Sequence, residues 1–239
     1  MYTFTMDKQA QAILLAMDKV LRHLSGRLDG FYLAGGTALS KYHFHHRESF
    51  DLDFFTKAYS ASKIEQLIKQ LADDLKGKII LTAENNTPGQ AKARVYYFQS
   101  LKIDFVQDVF ALIGNTRTVD GIPVLSLEDI YLRKIFTACG NVEIMDAAGR
   151  PVFAGGRQEA KDFFDLYTLS STYMPLSKFA GKHCDLRQIE SILVWFRRYD
   201  RMAIKTGLLD IIAEKQPDYA EMERHFKSET DTIIRKELI

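Results

Sequence analysis

Residues 51 to 56 read Asp-Leu-Asp-Phe-Phe-Thr, and this alternation constrains the fold more than any other stretch of the chain. In a β-strand, side chains two apart share a face, so Leu52 and Phe54 enter a core while Asp51 and Asp53 project together from the other side. Two adjacent carboxylates repel unless water screens them or a cation neutralises them, and an oxygen-only pair suits a hard divalent ion such as Mg2+. Asp104, flanked by Ile103 and Phe105 in "LKIDFVQ", is placed to join them from an adjacent strand. "DFVQD" also offers Asp108, and a one-residue register slip would exchange the polar face. Three carboxylates can hold two ions about 3.5 to 4 Å apart, the arrangement used for in-line phosphoryl or nucleotidyl transfer.

Upstream, the apolar run "FYLA" ends in Gly35 and Gly36, and "TALSKYHFHH" then continues as a helix. The glycines let the backbone approach a bulky anion, and the helix start offers free amides to phosphate. Thr37 and Ser40 add hydroxyls, and Arg47 and Ser49 reach the same triphosphate from the segment before the aspartates. A glycine pair alone is usually a turn, and a lone Asp-x-Asp usually a solvated strand. Their order, together with Arg47, Ser49 and Asp104, carries the reading.

Around this core the periodicities predict an amphipathic helix over 7–24 and a capped helix over 60–75 closed by Gly77. Three strands follow in "KIILTAE", "AKARVYYFQ" and "LKIDFVQDVF". The expected fold class is therefore α+β, a small mixed sheet flanked by helices and followed by a helical C-terminal region. The expected domains are 1–124 and 125–239, with a hairpin near 141–156 inside the second. Helices are expected from "SLEDIYLRKIF", where Ser126 and Asp129 have capping-box spacing, and from "RQEAKDFFDLYTLS", "LRQIESILVWFRRYDRMA" and "DYAEMERHFKSETDTIIRKEL".

With 32 basic and 31 acidic side chains the net charge is +1, so any polyanion site must be local. Cys139 and Cys184 lack metal-ligand spacing, which fits a reducing compartment. The N-terminus lacks the pattern of a secretory signal, and no segment is long and apolar enough for a bilayer; these features predict a cytoplasmic protein without a membrane partner.

The Gly-Gly pair, the Asp-x-Asp strand and the later Asp together resemble the nucleotidyltransferase superfamily typified by DNA polymerase beta. "LAGGTALS", "HRESFDLDFF" and "KDFFDLYTL" look like the AbiEii/AbiGii toxin family of nucleotidyltransferases, over roughly residues 30 to 170. The resemblance implies a polymerase beta-like fold, NTP as substrate, Mg2+ or Mn2+ as cofactor, tRNA as acceptor in some members, and a neighbouring antitoxin. It implies a role in toxin–antitoxin or phage-defence systems. By resemblance, Asp51, Asp53 and Asp104 are the metal carboxylates, and Gly35, Gly36, Thr37, Arg47 and Ser49 contact the triphosphate. A downstream motif maps onto Lys134, Lys161, Asp162 and Asp165, with Lys161 and Asp165 as catalytic candidates. Lys161 and Asp165 stand one helical turn apart, which also allows a salt bridge. The segment "GNVEIMDAAGRPVFAGG" departs from the family pattern as an added hairpin.

Simpler readings stand beside these. His43, His45 and His46 do not share one helical face and fit a solvated helix end better than a metal site. Arg187, Arg197, Arg198, Arg201 and Lys205 form either an RNA cradle or a solvated face. Trp195 and Phe196 read as core. A phosphatase of the haloacid-dehalogenase type needs a Thr one place earlier than Thr56 and a fully apolar strand before the first Asp. The competing reading of function is a non-catalytic nucleotide-binding module of the same fold that acts through a protein partner.

Overall fold

The structure is a computed structural model that describes residues 7–140, 142–145, 147–154 and 156–237. The chain divides into two compact units, one ending at Ile130 and the other beginning at Tyr131. In the first, α1 (Lys8–Leu24) buries Met17, Val20, Leu21 and Leu24 as their spacing predicts. The chain continues through β1 (Phe31–Ala34), the five-residue α2 (Gly35–Leu39) and a π-helical turn over Ser40–Phe44 that ends at His45 with φ 54°. Next come β2 (Asp51–Thr56), α3 (Ala61–Leu75), β3 (Ile79–Asn85), β4 (Ala93–Phe98) and β5 (Leu101–Gln107). A short hairpin follows, β6 (Arg117–Val119) and β7 (Ile122–Val124).

These strands form one seven-stranded sheet in the order β3-β4-β5-β2-β1-β7-β6. The β2–β5 and β1–β7 pairs are parallel and the rest antiparallel. The sheet is wider than the sequence reading because the β6–β7 hairpin was not among the expected elements. Its turn residues, Asp120 and Gly121, have φ of 51° and 75°, the left-handed pair of a tight two-residue hairpin. Leu52 and Phe54 of β2 and Ile103 and Phe105 of β5 are fully buried on one face, with the Phe54 and Phe105 rings stacked at 5.4 Å. α3 buries Ile64, Leu67, Ile68 and Leu71, and the Ser60 hydroxyl accepts the Lys63 N–H at its start. Lys76, rather than Gly77, holds the left-handed position at its end, while the Gly77 N–H reaches the Ala72 carbonyl.

α4 (Leu127–Cys139) runs across the division between the units. At its start Ser126 accepts the Asp129 N–H, while the buried Asp129 carboxylate accepts the Ser126 hydroxyl and the amides of Ile113 and Gly114. In the second unit the expected hairpin is present as β8 (Val142–Met145) and β9 (Pro151–Ala154). Asn141, Asp146 and Gly155, also within the expected hairpin, lie outside the described residues. The remaining helices are α5 (Ala160–Thr168), α6 (Leu176–His183), α7 (Leu186–Arg198), α8 (Arg201–Gly207) and α9 (Tyr219–Glu237).

α6 was not anticipated. The single helix expected over "LRQIESILVWFRRYDRMA" is broken at Tyr199 and Asp200, where the Asp200 carboxylate caps α8 by accepting the Ala203 N–H. Trp195 and Phe196 are core, packed with Phe163 and Phe226. Among the described residues no helix is long and apolar enough to cross a membrane.

Candidate active site

The sheet sets three carboxylates and one ammonium in a single patch. Asp51 and Asp53 alternate with fully buried Leu52 and Phe54, so both are half-buried on the face away from the core. The parallel register of β2 and β5 puts Lys102 opposite Asp51 and Asp104 opposite Asp53. Asp104 therefore joins the aspartate pair. Asp108 lies one residue beyond β5, where its buried carboxylate accepts the Tyr32 hydroxyl and pairs with Lys57 at 3.1 Å.

Lys102 is the residue that sequence reasoning missed. Its Nζ is 2.5 Å from Oδ2 of Asp104, while Oδ1 of Asp104 is buried without a hydrogen-bond partner. Burial pushes the Asp104 carboxyl above its ordinary range, the Asp51 charge adds to this, and Lys102 opposes it. Burial alone would lower the Lys102 ammonium, but Asp104, Asp53 and Asp51 lift it above its usual value. The signal was available in sequence, because Lys102 stands two residues from Asp104 in a strand and must share its face.

The glycine pair makes room for side chains around it. Gly35, at φ 67°, lies beside β2, and a Cβ there would stand 2.2 Å from Oδ2 of Asp53. A Cβ on Gly36 would stand 2.6 Å from Nη2 of Arg47 and 3.1 Å from Oγ of Ser49. Bare backbone at 35 and 36 thus leaves room for the Asp53 carboxylate and the buried Arg47 guanidinium. Thr37 donates its hydroxyl to the Asp51 carbonyl, tying α2 to β2. Thr37, Ser40, Arg47 and Ser49 line one cavity of about 600 Å³, a volume in the range of small-ligand sites.

Gly35→Ala is expected to cost about 1 to 2 kcal/mol through the left-handed backbone alone, and to displace Asp53 as well. Gly36→Ala, which meets the end of a side chain at a negative-φ position, is expected to cost less. Thermal melts of the two variants test this order, and a Gly36 variant less stable than the Gly35 variant would contradict it.

The donors of Asp51 and Asp53 are oxygens, the ligand chemistry that a hard divalent cation takes. Among the described residues no group of three or more His, Cys, Asp or Glu side chains is gathered as a metal cage. The histidine cluster is dispersed: His43 is half-buried with Nε2 3.2 Å from the Leu125 carbonyl and Nδ1 3.2 Å from Arg117, whereas His45 is exposed.

In the second unit, Lys134 lies between two buried carboxylates, 2.7 Å from Asp162 and 2.6 Å from Asp165. Arg157 grips Asp162 through Nε and Nη2 at 2.5 and 3.1 Å. The Lys161–Asp165 salt bridge that helical spacing allowed is not what forms. Lys161 pairs with Glu159 at 3.0 Å, and Asp165, with a fully buried side chain, turns inward to Lys134. Of the basic run, Arg187 pairs with Glu143 and Arg201 with Glu223, while Arg197 and Arg198 are exposed.

The family described as "Nucleotidyl transferase AbiEii toxin, Type IV TA system" matches residues 19–236. Among solved structures the chain is similar to JHP933 from Helicobacter pylori, with a TM-score of 0.57 and 18% identity, covering 97% of this chain and 94% of that one. It is similar as well to an H. pylori protein provisionally assigned as a nucleotidyltransferase, with a TM-score of 0.56 and 18% identity, covering 97% of each chain. At this identity the likeness speaks to fold, a central mixed sheet flanked by helices with further helices after it. No curated protein sequence matches the chain.

Proposed function

We infer that this chain, which belongs to the AbiEii family of nucleotidyl transferase toxins of type IV toxin–antitoxin systems, transfers a nucleotide from an NTP to a hydroxyl of RNA. We take tRNA as the first acceptor to test, and arrest of growth, including during phage infection, as the outcome in the cell. The observation that carries this reading is the register placing Asp53 opposite Asp104, beside a backbone kept bare at Gly35 and Gly36.

Asp51, Asp53 and Asp104 are the residues that would hold Mg2+ or Mn2+. When bound there, the ion supplies Lewis-acid charge to the phosphate oxygens and favours the ionised attacking hydroxyl. Arg47, whose Nη1 donates to the Glu48 carbonyl at 2.9 Å, lines the cavity as a cation for the triphosphate. Ser49, Thr37 and Ser40 supply hydroxyls along the same cavity. Held in line, the acceptor oxygen forms a bond to the α-phosphorus as the bond to the bridging oxygen breaks. Pyrophosphate leaves and the hydroxyl proton passes to water.

In the second unit, the mutually satisfied Lys134, Asp162, Asp165 and Arg157 serve to hold helices together. Lys161, with 41% of its side chain exposed, is the member of that motif whose ammonium solvent reaches, and it is our candidate for contact with a phosphate. A toxin of a type IV system has a cognate antitoxin as its counterpart.

The test is to incubate the protein with Mg2+, each labelled NTP in turn and a total tRNA pool, beside an Asp51→Ala, Asp53→Ala control. Label entering RNA only with intact aspartates is expected, and it identifies the NTP. Nucleotide binding without transfer to any acceptor would overturn the reading in favour of a binding module.

A further inference from the structure

The helices of the second unit gather cations that lie well apart in the chain. On α9, Arg224, Lys227, Asp231 and Ile234 follow one another at spacings of three and four and so share a face, as Leu193, Phe196 and Arg197 do on α7. With Arg201 of α8, these faces line one cavity of about 470 Å³. Four of its side chains are cationic and two, Glu223 and Asp231, are acidic, a surplus of two positive charges in a chain whose net charge is +1.

Arg201 is held in place. Its Nε donates to Oε1 of Glu223 at 3.0 Å, and its guanidinium lies over the Tyr199 ring, 4.8 Å from the centroid. Glu223 is itself fixed by the hydroxyls of Tyr219 at 3.0 Å and Tyr199 at 3.3 Å. Among the described residues the Nη groups of Arg201 have no hydrogen-bond partner, which leaves a pre-set fork of donors of the kind that matches a phosphate. Arg197, Arg224 and Lys227 are exposed and, among the described residues, form no ion pair, although Asp231 stands one turn from Lys227. The basic run thus divides: Arg187 is drawn off to Glu143, while Arg197 and Arg201 converge with two cations of α9 that lie outside it.

We propose that this cavity binds the phosphodiester backbone of the RNA acceptor, with Arg201 as the fixed phosphate anchor and Arg197, Arg224 and Lys227 as the cations around it. The inference rests on the nucleotidyl-transfer reading and gives that reaction an acceptor-binding surface on the second unit.

The experiment measures binding of a total tRNA pool to the full chain, without NTP, across a salt series. The parent is compared with the triple variant Arg197→Ala, Arg224→Ala, Lys227→Ala, and with Arg198→Ala, Lys205→Ala, two exposed cations outside the cavity. Loss of three phosphate contacts is expected to weaken binding about 100-fold at about 0.1 M salt and to flatten the slope of log affinity against log salt by about 2. The Arg198, Lys205 pair should match the parent. Thermal melts accompany the variants, and if the triple variant does not fold, Arg197→Gln alone should flatten the slope by about 0.7. Parental affinity and slope in the variant, or an equal loss in the Arg198, Lys205 pair, would overturn the site while label transfer into RNA keeps the transferase reading. RNA displaced by polyglutamate as readily as by a second RNA would overturn it in favour of an acidic protein segment. No RNA bound by the parent would overturn the site, and with no label entering RNA it would overturn the RNA-acceptor reading as well.

Discussion

Asp53→Asn is expected to reduce nucleotidyl transfer by about 10³- to 10⁴-fold, the loss typical of removing a central charged group from a catalytic constellation. The amide has the shape of the carboxylate and fits the space that Gly35 leaves open, so the fold should persist. The assay is label transfer from NTP to RNA beside a thermal melt of the same preparation. More than a tenth of parental transfer, or undiminished growth arrest when the variant is expressed, would remove Asp53 from the catalytic centre.

The second large effect is on stability. Lys134→Met is expected to cost about 3 to 5 kcal/mol at neutral pH, the usual consequence of taking one partner from a buried ion cluster. The Lys134 side chain is 7% exposed, those of Asp162 and Asp165 are 1% and 0% exposed, and both carboxylates lie within 2.7 Å of its ammonium. Burial alone would raise the Asp162 carboxyl, but Lys134 and Arg157 together hold it below its ordinary value of 3.8.

A depressed carboxyl contributes stability above its unfolded pKa and loses it as pH falls through the folded one. The parent should therefore weaken in acid below about pH 4. The variant, burdened with uncompensated buried charge, should be relieved by protonation, so the gap between the two narrows as pH falls. Urea denaturation of both proteins at neutral and acidic pH measures this. A neutral-pH loss under about 1 kcal/mol, as for an exposed pair, would contradict it. Lys134→Met combined with Asp165→Leu and Asp162→Asn should recover much of the loss, since replacing a whole buried cluster costs less than breaking it.

Much of this site was legible in the sequence, because period two and period 3.6 are local rules. They placed Asp51, Asp53, Leu52 and Phe54 on their faces, and the inward residues of α3. What was not legible depended on partners distant in the chain. The glycines at 35 and 36 were recognisable as close-approach positions, but only the fold shows that Asp53 and Arg47 do the approaching.

Lys161 and Asp165 share a helical face by spacing, yet spacing says nothing of Lys134, which arrives from α4 and takes Asp165 inward. The break between α7 and α8 was readable in principle from Asp200 as a cap before "RMA", and the β6–β7 hairpin from Asp120-Gly121. Lys102 shows a different kind of miss. Strand periodicity already fixed its face, but period two does not say that its ammonium reaches the Asp104 carboxylate.

The parallel pairing of β2 with β5 also sets an order of assembly. The meander β3-β4-β5 pairs antiparallel between neighbours in sequence and closes short loops. β2 meets β5 only across α3 and that whole meander, a pairing of high sequence separation that is expected to form late. Until it closes, Asp51 and Asp53 lie apart from Asp104 and Lys102, so a chain still emerging from the ribosome at β4 carries no assembled centre. The centre is therefore expected to assemble only once the chain through Gln107 is free to fold, and opening of the β2–β5 seam is expected to part Asp51 and Asp53 from Asp104.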